Sequence, residues 1–296
     1  MMGMGWSGSR HAGGSGTVAC GRRTLQSHPS AMKSPVSSHQ LATQLHSLGV
    51  RPGDLLVVHT AFSEVGPVEG GPQGFIDALL RSVGPMGTLM MPSLADHDDL
   101  FDPAATPCRN MGVVADTFWR LPGVLRSDNP HAFAARGPLA GQLLAPHSVV
   151  VPHGPDSPPG RAIVAGGKVL LAGVGHDANT TIHVAENVAG VGYGFEARSV
   201  VRLDGALVEL RYREIDHCCR GFERVGDELR RRGWQTTGLL GHAEAVLAPS
   251  AQVFEAASAL LGHHAEALLC PQGQCNYCDA ARRAASPDDH RHGVPA

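Results

Sequence analysis

The sequence has little charge and no excess of either sign. Charged residues make up 17% of its 296 residues, with 24 Lys and Arg against 27 Asp and Glu, for a formal net charge of -3. Globular proteins average about 25% charged residues, and Gly, Pro and His fill the difference here with 37, 21 and 17 copies. A chain this close to neutral lacks the basic footprint of a nucleic-acid-binding protein.

Long apolar runs and a secretion signal are also missing. No apolar run approaches the roughly 20 residues that a membrane-crossing helix needs. The first residues do not show a basic segment followed by an apolar one, the pattern of a secretory leader. We therefore expect no membrane partner and a cytoplasmic protein.

Composition divides the chain into three parts. Residues 1–35 are rich in Gly and Ser without periodicity, which predicts a disordered extension. Residues 286–296 are polar and predict a flexible tail. The chain is 43% apolar and shows no internal repeat, so residues 36–285 are expected to form a single domain with a buried core.

Within that domain, short apolar segments alternate with helical patterns. Buried strands are predicted at 54–58, 88–91 and 168–171. Helices are predicted near 41–48, 75–83, 113–121, 222–229 and 253–261. Ser37 and Gln40 predict a capping box before the first helix, and Ser250 is the predicted cap of the last.

The alternation of strands and helices predicts the fold class. Asp204 and Gly205 predict a hairpin turn between residues 199–203 and 207–212, which adds an antiparallel part. We expect an α/β fold, a layered α/β/α sandwich with a mixed sheet. In such sheets ligands bind beyond the carboxyl ends of the strands, where this chain places His59, Thr60 and residues 173–176.

Residues 173–186 read GVGHDANTTIHVAE and follow a predicted buried strand. Asn179 is a favourable helix N-cap, which places His183 in the first turns of a helix. A helix N-terminus disfavours imidazolium, so His183 is expected to be neutral, as a general base must be. Free amides at the same helix start are expected to stabilise an oxyanion.

A basic histidine needs an acidic partner to orient its ring. Glu186 is three residues further along the same helix and can reach His183. Glu214 and Asp216 follow the predicted hairpin and are the other candidates. Solvated surface carboxylates are the commoner fate of such residues, so position alone leaves all three open.

Several segments together resemble the aminoglycoside 3-N-acetyltransferases, over roughly residues 38–283. The segments are LLVVHTAFSEVG (55–66), GTLMMPS (87–93), DTFWRLPGVLRSDNPHAFAARGP (116–138), GVGHDANTTIHVAE (173–186) and DHCCRGFE (216–223). The late segment CNYCDAAR (275–282) looks most like the apramycin- and gentamicin-acetylating type IV branch. The pyrophosphate loop of the GNAT acetyltransferases is not visible, so the resemblance implies an antibiotic N-acetyltransferase fold and not a GNAT fold.

The resemblance implies transfer of acetyl from acetyl-CoA to the 3-amine of a 2-deoxystreptamine aminoglycoside, an activity that confers resistance. The base histidine of the family falls on His183, with Glu214 as its orienting partner. The implied substrate-binding acids are Asp98, Asp216 and Glu186. Because the stretch 95–103 looks one residue shorter than the family pattern, Asp96 or Asp99 is an alternative to Asp98.

The resemblance also implies a set of residues that contact CoA. A strand-end motif falls on His59, Thr60 and Ala61, where the family more often has two serines after the histidine. CoA phosphates need cations or helix N-termini. The residues assigned to the remainder of the CoA site are Arg126, Ser127, Thr180 and Thr181.

Two other classes of protein compete with this interpretation. The first is a metal-dependent hydrolase built from histidines and aspartates, although no HExxH or HxH signature supports it. The histidines that such a site would use are His59, His131, His153, His176 and His183. The second is a relative without catalytic activity that still binds CoA or an aminoglycoside. In either case the protein is expected to be a monomer or a homodimer.

Seven cysteines cannot all form pairs, and five fall late in the chain. Such clustering is typical of thiols or a metal site in a reducing compartment. Cys275 and Cys278 form half of a zinc-binding pattern. The residues proposed to complete a structural zinc site are His217, Cys218 and Cys219. Buried reduced thiols are the alternative.

Overall fold

The structure is a computed structural model that describes residues 33–95, 100–203 and 205–285. Most of the predicted N-terminal extension, the predicted tail from 286 and the turn residue Asp204 lie outside the described residues. The assignment of 36–285 to a single domain stays a prediction.

Ten α-helices and nine strands lie within the described ranges. The helices are α1 (Ser38–Leu48), α2 (Phe62–Val65), α3 (Gly71–Val83), α4 (Gly112–Phe118), α5 (Ala140–Leu143), α6 (Pro158–Val164), α7 (Thr181–Ala189), α8 (Glu223–Arg231), α9 (Ser250–His263) and α10 (Asn276–Ala285). The strands are β1 (Leu55–Thr60), β2 (Thr88–Pro92), β3 (Leu125–Arg126), β4 (Phe133–Arg136), β5 (Lys168–Ala172), β6 (Phe195–Leu203), β7 (Ala206–Glu214), β8 (Thr236–Leu240) and β9 (Ala243–Pro249). Short 3₁₀ turns at His176–Ala178 and Arg220–Phe222 precede α7 and α8.

The main sheet of the described chain has seven strands in the order β3-β4-β2-β1-β5-β9-β8. Its centre is parallel, with β1 between β2 and β5, and its two sides are antiparallel. The mixed sheet is therefore confirmed, but its antiparallel members are not the predicted hairpin. The hairpin β6–β7 pairs as predicted and stands apart as a second, two-stranded sheet.

Helices cover both faces of the sheet. Successive side chains of a strand point to opposite faces, and on β1 Leu56 and Val58 enter one core while Leu55 and Val57 enter the other. The first core includes side chains of α1, α3 and α4, and the second those of α7, α8 and α9. Complete burial of each aliphatic side chain contributes about 1.5–3 kcal/mol. The α/β/α sandwich is thus confirmed.

Helix ends test the local predictions most directly. The capping box of α1 is present, since the Gln40 amide donates to Ser37 Oγ at 3.2 Å and the Ser37 amide donates to Gln40 Oε1 at 2.8 Å. The predicted cap of α9 is wrong: Ser250 is the first helical residue, and Pro249 occupies the N-cap position without a side-chain hydrogen bond. Helix α4 ends at Phe118, three residues before the predicted end.

None of the helices in the described ranges has the length and apolar character needed to span a bilayer.

Candidate active site

A cavity of about 1120 Å³ opens beside the carboxyl ends of β1, β2 and β5, where the sequence predicted a ligand site. Among its lining residues are His59, Thr60, Ala61, Thr180 and His183. Small-molecule sites are commonly 300–1,000 Å³, so this space is large enough for more than one small ligand.

The start of α7 is fixed by Asn179. Asn179 Oδ1 accepts a hydrogen bond from the Thr181 amide at 3.1 Å, although the N-cap position itself is Thr180. The next two amides, of Ile182 and His183, donate to the Asn179 and Thr180 carbonyls. These three amides are already bonded at the helix start, so they are not free to stabilise an oxyanion.

Glu186, and not Glu214, orients His183. His183 Nδ1 lies 2.7 Å from Glu186 Oε2, one helical turn away. Glu186 is completely buried, and its other oxygen accepts from the Tyr193 hydroxyl and from His217 Nε2 at 2.9 Å. The role of Glu186 in binding substrate is therefore wrong, because no face of the carboxylate reaches solvent or the cavity.

The hydrogen bonds fix the protons of this network. His217 Nδ1 accepts from the Cys219 amide at 3.1 Å, so Nε2 carries the proton that is donated to Glu186. Burial on its own raises the pKa of Glu186, but the charge and hydrogen bonds of His217 and His183 outweigh burial and lower that pKa to about 2. An ionised carboxylate only accepts. His183 therefore donates through Nδ1, which leaves the lone pair on Nε2.

The second nitrogen of His183 is on the cavity side of the ring. His183 Nε2 lies 3.7 Å from the Sγ atom of Cys219, and both residues line the cavity. The arrangement suits a general base: Nδ1 is held by a buried carboxylate, while Nε2 lies beside the Cys219 thiol on a ring that lines the cavity.

Glu214 takes a different partner from the one predicted. Its Oε1 lies 2.7 Å from His131 Nε2, so it does not orient His183. Asp216 accepts a hydrogen bond from the Tyr277 hydroxyl, and burial raises the pKa of Asp216. The predicted acids Asp98, Asp96 and Asp99 lie outside the described residues.

The predicted CoA contacts divide into two groups. His59, Thr60, Ala61 and Thr180 line the cavity, and His59 Nε2 is 3.5 Å from Thr180 Oγ1. Thr181 is buried under the start of α7 and is absent from the cavity wall. The assignments of Thr181, Arg126 and Ser127 to CoA are not supported by their positions.

Arg126 and Ser127 are held within the fold. The Arg126 guanidinium donates to the carbonyls of Ser93 and Thr106 and stacks on the ring of Trp119, with Cζ 4.5 Å from the ring centroid. Ser127 is buried, and its hydroxyl accepts from the Phe133 amide at 3.0 Å. Both residues therefore brace the edge of the sheet instead of facing the cavity.

His176 is a buried histidine whose polar atoms are satisfied. Nδ1 lies 3.3 Å from the side-chain nitrogen Nδ2 of Asn179, and Nε2 lies 3.2 Å from Gln235 Oε1. Burial lowers the pKa of His176. Gly226 on α8 leaves room for this ring, since a Cβ there would lie 2.6 Å from the imidazole. His176 is thus a packing residue on the cavity wall.

The late cysteines assemble differently from the prediction. Four Sγ atoms, those of Cys218, Cys270, Cys275 and Cys278, lie within 4.8 Å of one another. The assignment of His217 and Cys219 to this group is wrong: His217 bonds Glu186, and the Cys219 thiol faces His183. Cys270, which the sequence pattern did not select, takes their place. We call these four residues the four-cysteine cluster.

A second group with suitable donor types is His183, Glu186 and His217. Their facing atoms already share hydrogen bonds of 2.7 and 2.9 Å, so the lone pairs that a metal would need are in use.

Several residues of the site are not predicted in their observed roles. His217 and Tyr193 complete the network on Glu186, and Arg220 and Arg230 lie at the cavity wall. The sequence pattern selects His217, but as a zinc ligand and not as a partner of Glu186. Tyr193 and the two arginines carry no local pattern.

Comparison with known proteins gives the class of this site. A family model described as aminoglycoside 3-N-acetyltransferase matches residues 57–262. Aminoglycoside N(3)-acetyltransferase IV of Salmonella sp is 47% identical over 234 residues, which are 78% of this chain and 90% of that enzyme. The chain belongs to the aminoglycoside 3-N-acetyltransferase family.

Solved structures agree with this assignment. The apoenzyme of aminoglycoside acetyltransferase AAC(3)-IVa superposes with a TM-score of 0.83 at 44% identity, covering 86% of this chain and 100% of that one. That enzyme has also been solved as a histidine-to-alanine variant in complex with gentamicin. AAC-IIIb bound to CoASH superposes with a TM-score of 0.71 at 27% identity, covering 78% of this chain and 97% of that one. These neighbours are not GNAT enzymes, and they favour acetyl transfer over a metal-dependent hydrolase.

Proposed function

We propose that this enzyme acetylates the 3-amine of 2-deoxystreptamine aminoglycosides with acetyl-CoA, using His183 as the general base. The observation that carries the proposal is the 2.7 Å bond from His183 Nδ1 to buried Glu186, with Nε2 left on the cavity side. The family membership supports the reaction class, and the geometry supports the role of His183.

The proposed step begins with the 3-amine in its neutral form. Its nitrogen attacks the thioester carbonyl, and the proton that it loses passes to His183 Nε2. The C–S bond then breaks as the amide forms, and the imidazolium returns the proton to the CoA thiolate. Glu186 stabilises the imidazolium through Nδ1 and stays ionised throughout, since its pKa is about 2.

The cavity is proposed to hold the two substrates from opposite sides. CoA carries phosphates, and Arg220 and Arg230 supply positive charge on the wall formed by the 3₁₀ turn and α8. His59, Thr60, Ala61 and Thr180 line the same cavity and are proposed to contact the rest of CoA. The amine-rich substrate is proposed to approach from the side of Glu214 and Asp216, because carboxylates attract a polycation.

The enzyme is proposed to act as a monomer or a homodimer. The cytoplasm is the proposed location, since acetyl-CoA and reduced thiols are both found there.

The test is a direct assay of acetyl transfer. The purified chain is incubated with acetyl-CoA and gentamicin or apramycin, free CoA thiol is followed with time, and NMR locates the new amide. Thiol release with acetylation at the 3-position is the expected result. Streptomycin, which lacks a 2-deoxystreptamine ring, is the matched control and should release no thiol above background. If neither gentamicin nor apramycin releases CoA, the proposed function is wrong.

A further inference from the structure

We propose that the four-cysteine cluster binds one Zn²⁺ ion. Its Sγ atoms all lie within 4.8 Å of one another, and the Cys218 sulfur is 3.4 Å from those of both Cys270 and Cys278. A tetrahedral zinc site with Zn–S bonds of about 2.3 Å separates its sulfurs by about 3.8 Å. The four sulfurs are therefore spaced as ligands of one shared ion.

The chemistry of the donors selects the metal. Four sulfur ligands exclude Mg²⁺ and Ca²⁺, which take oxygen, and favour tetrahedral Zn²⁺ or iron. A closed set of four cysteines is a usual structural zinc site. Disulfide pairing does not describe the cluster, because its cysteines are free and a disulfide needs a sulfur–sulfur distance of about 2.05 Å.

The cluster joins the segment after β7 to the part of the chain around the start of α10, more than 50 residues further on. Cys218 follows β7, Cys270 follows α9, and Cys275 and Cys278 flank the start of α10. The buried core at this junction is small and counts Cys270 and Cys278 among its own members. Small cores commonly need a staple such as a metal, so a bound ion explains how α10 stays attached to the rest of the chain.

The surroundings of the cluster are ordered in a way that suits a charged centre. Arg282 donates to the Cys270 carbonyl at 2.6 Å and also pairs with Glu266 at 2.6 Å and Asp279 at 2.9 Å. The arginine thus fixes the loop that presents Cys270. Such hydrogen bonds to the residues that carry the ligands are usual around metal sites.

The cluster is directly connected to the proposed base. His217, the residue before Cys218, donates to Glu186 at 2.9 Å, and Glu186 holds His183 at 2.7 Å. A metal on Cys218 therefore fixes the neighbouring His217, which is linked to His183 through Glu186. This inference goes beyond the proposed function, and the amount of bound metal is measured without any assay of activity.

The decisive experiment is elemental analysis of the full chain, purified without a metal-binding tag under reducing conditions and dialysed against a chelator. The wild-type protein is expected to retain about one zinc per chain. Cys270→Ser should retain less than roughly a tenth of that amount, because a closed site loses one of its four ligands. Two controls should retain wild-type zinc: Cys219→Ser, next to the cluster, and Cys108→Ser, whose thiol bonds Asp116 at 3.3 Å.

Three results would overturn the inference. They are wild-type protein without zinc, zinc lost from Cys219→Ser but retained by Cys270→Ser, and iron in place of zinc. If Cys270→Ser does not fold, Co²⁺ exchange into the wild-type protein decides the matter. A visible spectrum of tetrahedral cobalt with four thiolates is expected, while a spectrum of octahedral cobalt, or a disulfide within the cluster detected by mass spectrometry, would refute the site.

Discussion

The two ring nitrogens of His183 face two different parts of the molecule. On the Nδ1 side, Glu186, His217 and Tyr193 are buried, and every polar contact comes from within the chain. On the Nε2 side lies a cavity of about 1120 Å³. The buried side can hold the base in one tautomer before any ligand arrives, whereas the open side is completed only by substrates.

The most severe way to break this arrangement is to remove the base itself. His183→Ala is expected to lower kcat by about 10²–10⁴-fold, the usual contribution of general base catalysis. The KM values for both substrates should change little, because the neutral imidazole carries no charge that either substrate needs. Steady-state kinetics of thiol release measures both quantities.

The control for this prediction is another histidine. His263→Asn, at the exposed end of α9, should keep wild-type kinetics. A near-normal kcat in His183→Ala at neutral pH would contradict the assignment of the base.

Substitution of Glu186 and of Glu214 tests which carboxylate orients His183. Glu186→Gln should lower kcat by roughly 10²-fold, because an amide no longer fixes the Nδ1 proton and the tautomer, while Glu214→Gln should mainly raise the aminoglycoside KM. The double variant His183→Ala, Glu186→Gln should be little slower than His183→Ala alone, as expected of groups that act as a unit. A larger fall in kcat for Glu214→Gln than for Glu186→Gln would reverse the assignment.

How much of this site the sequence predicts depends on the range of the contacts. His183 and Glu186 are three residues apart on one helix, so helical spacing alone brings them together. The central parallel strands were likewise predicted, because each is a continuous apolar run. Glu214 was assigned to the wrong histidine because its contact with His131 spans 83 residues. The spacing of residues within one segment cannot predict a contact between two segments so far apart in sequence.

The same limit applies to the edges of the fold and to the cysteines. Strands β3 and β4 are short and lack an alternating pattern, so the antiparallel edge was not predicted. Cys270 lies five residues before Cys275 and outside the C-x-x-C pattern, so the pattern does not select it, and the path of the chain after α9 brings it into the four-cysteine cluster. Arg126 looked like an anion-binding residue because its sequence context does not reveal the carbonyls that it bonds.

The burial of His59, which lines the cavity, predicts how the stability of the protein depends on pH. Burial, with a smaller effect from His176, lowers the pKa of His59 from 6.5 to about 4. Between those values the unfolded chain binds a proton that the folded chain does not, so the free energy of unfolding falls as the pH falls through this window. The contribution of His59 is at most about 3 kcal/mol, at 1.36 kcal/mol per pKa unit.

Urea unfolding at pH 7, 6, 5 and 4 measures this dependence. His59→Asn should flatten the slope between pH 6.5 and 4 without abolishing it, because burial also lowers the pKa of His147 to about 4. His263→Asn is the control and should keep the wild-type slope. An unchanged slope in His59→Asn would show that the pKa of His59 is the same in the folded and unfolded protein, and so is not lowered by folding.

The smallest effect is expected from Arg220 on the cavity wall, because an exposed charge there is proposed to attract CoA. Arg220 lies at the cavity wall and is exposed. Because an exposed ion pair contributes at most about 1 kcal/mol, Arg220→Gln should raise the acetyl-CoA KM by about two- to fivefold. The effect should shrink as salt is added, because salt screens the attraction between the guanidinium and the CoA phosphates. The kcat should stay unchanged, since the guanidinium is not part of the His183 network.

Arg231→Gln is the matched control: this exposed arginine pairs with Glu228 at 2.7 Å and is not in the cavity wall. An equal rise in KM for both variants would mean that net charge, and not a site on the cavity wall, attracts CoA.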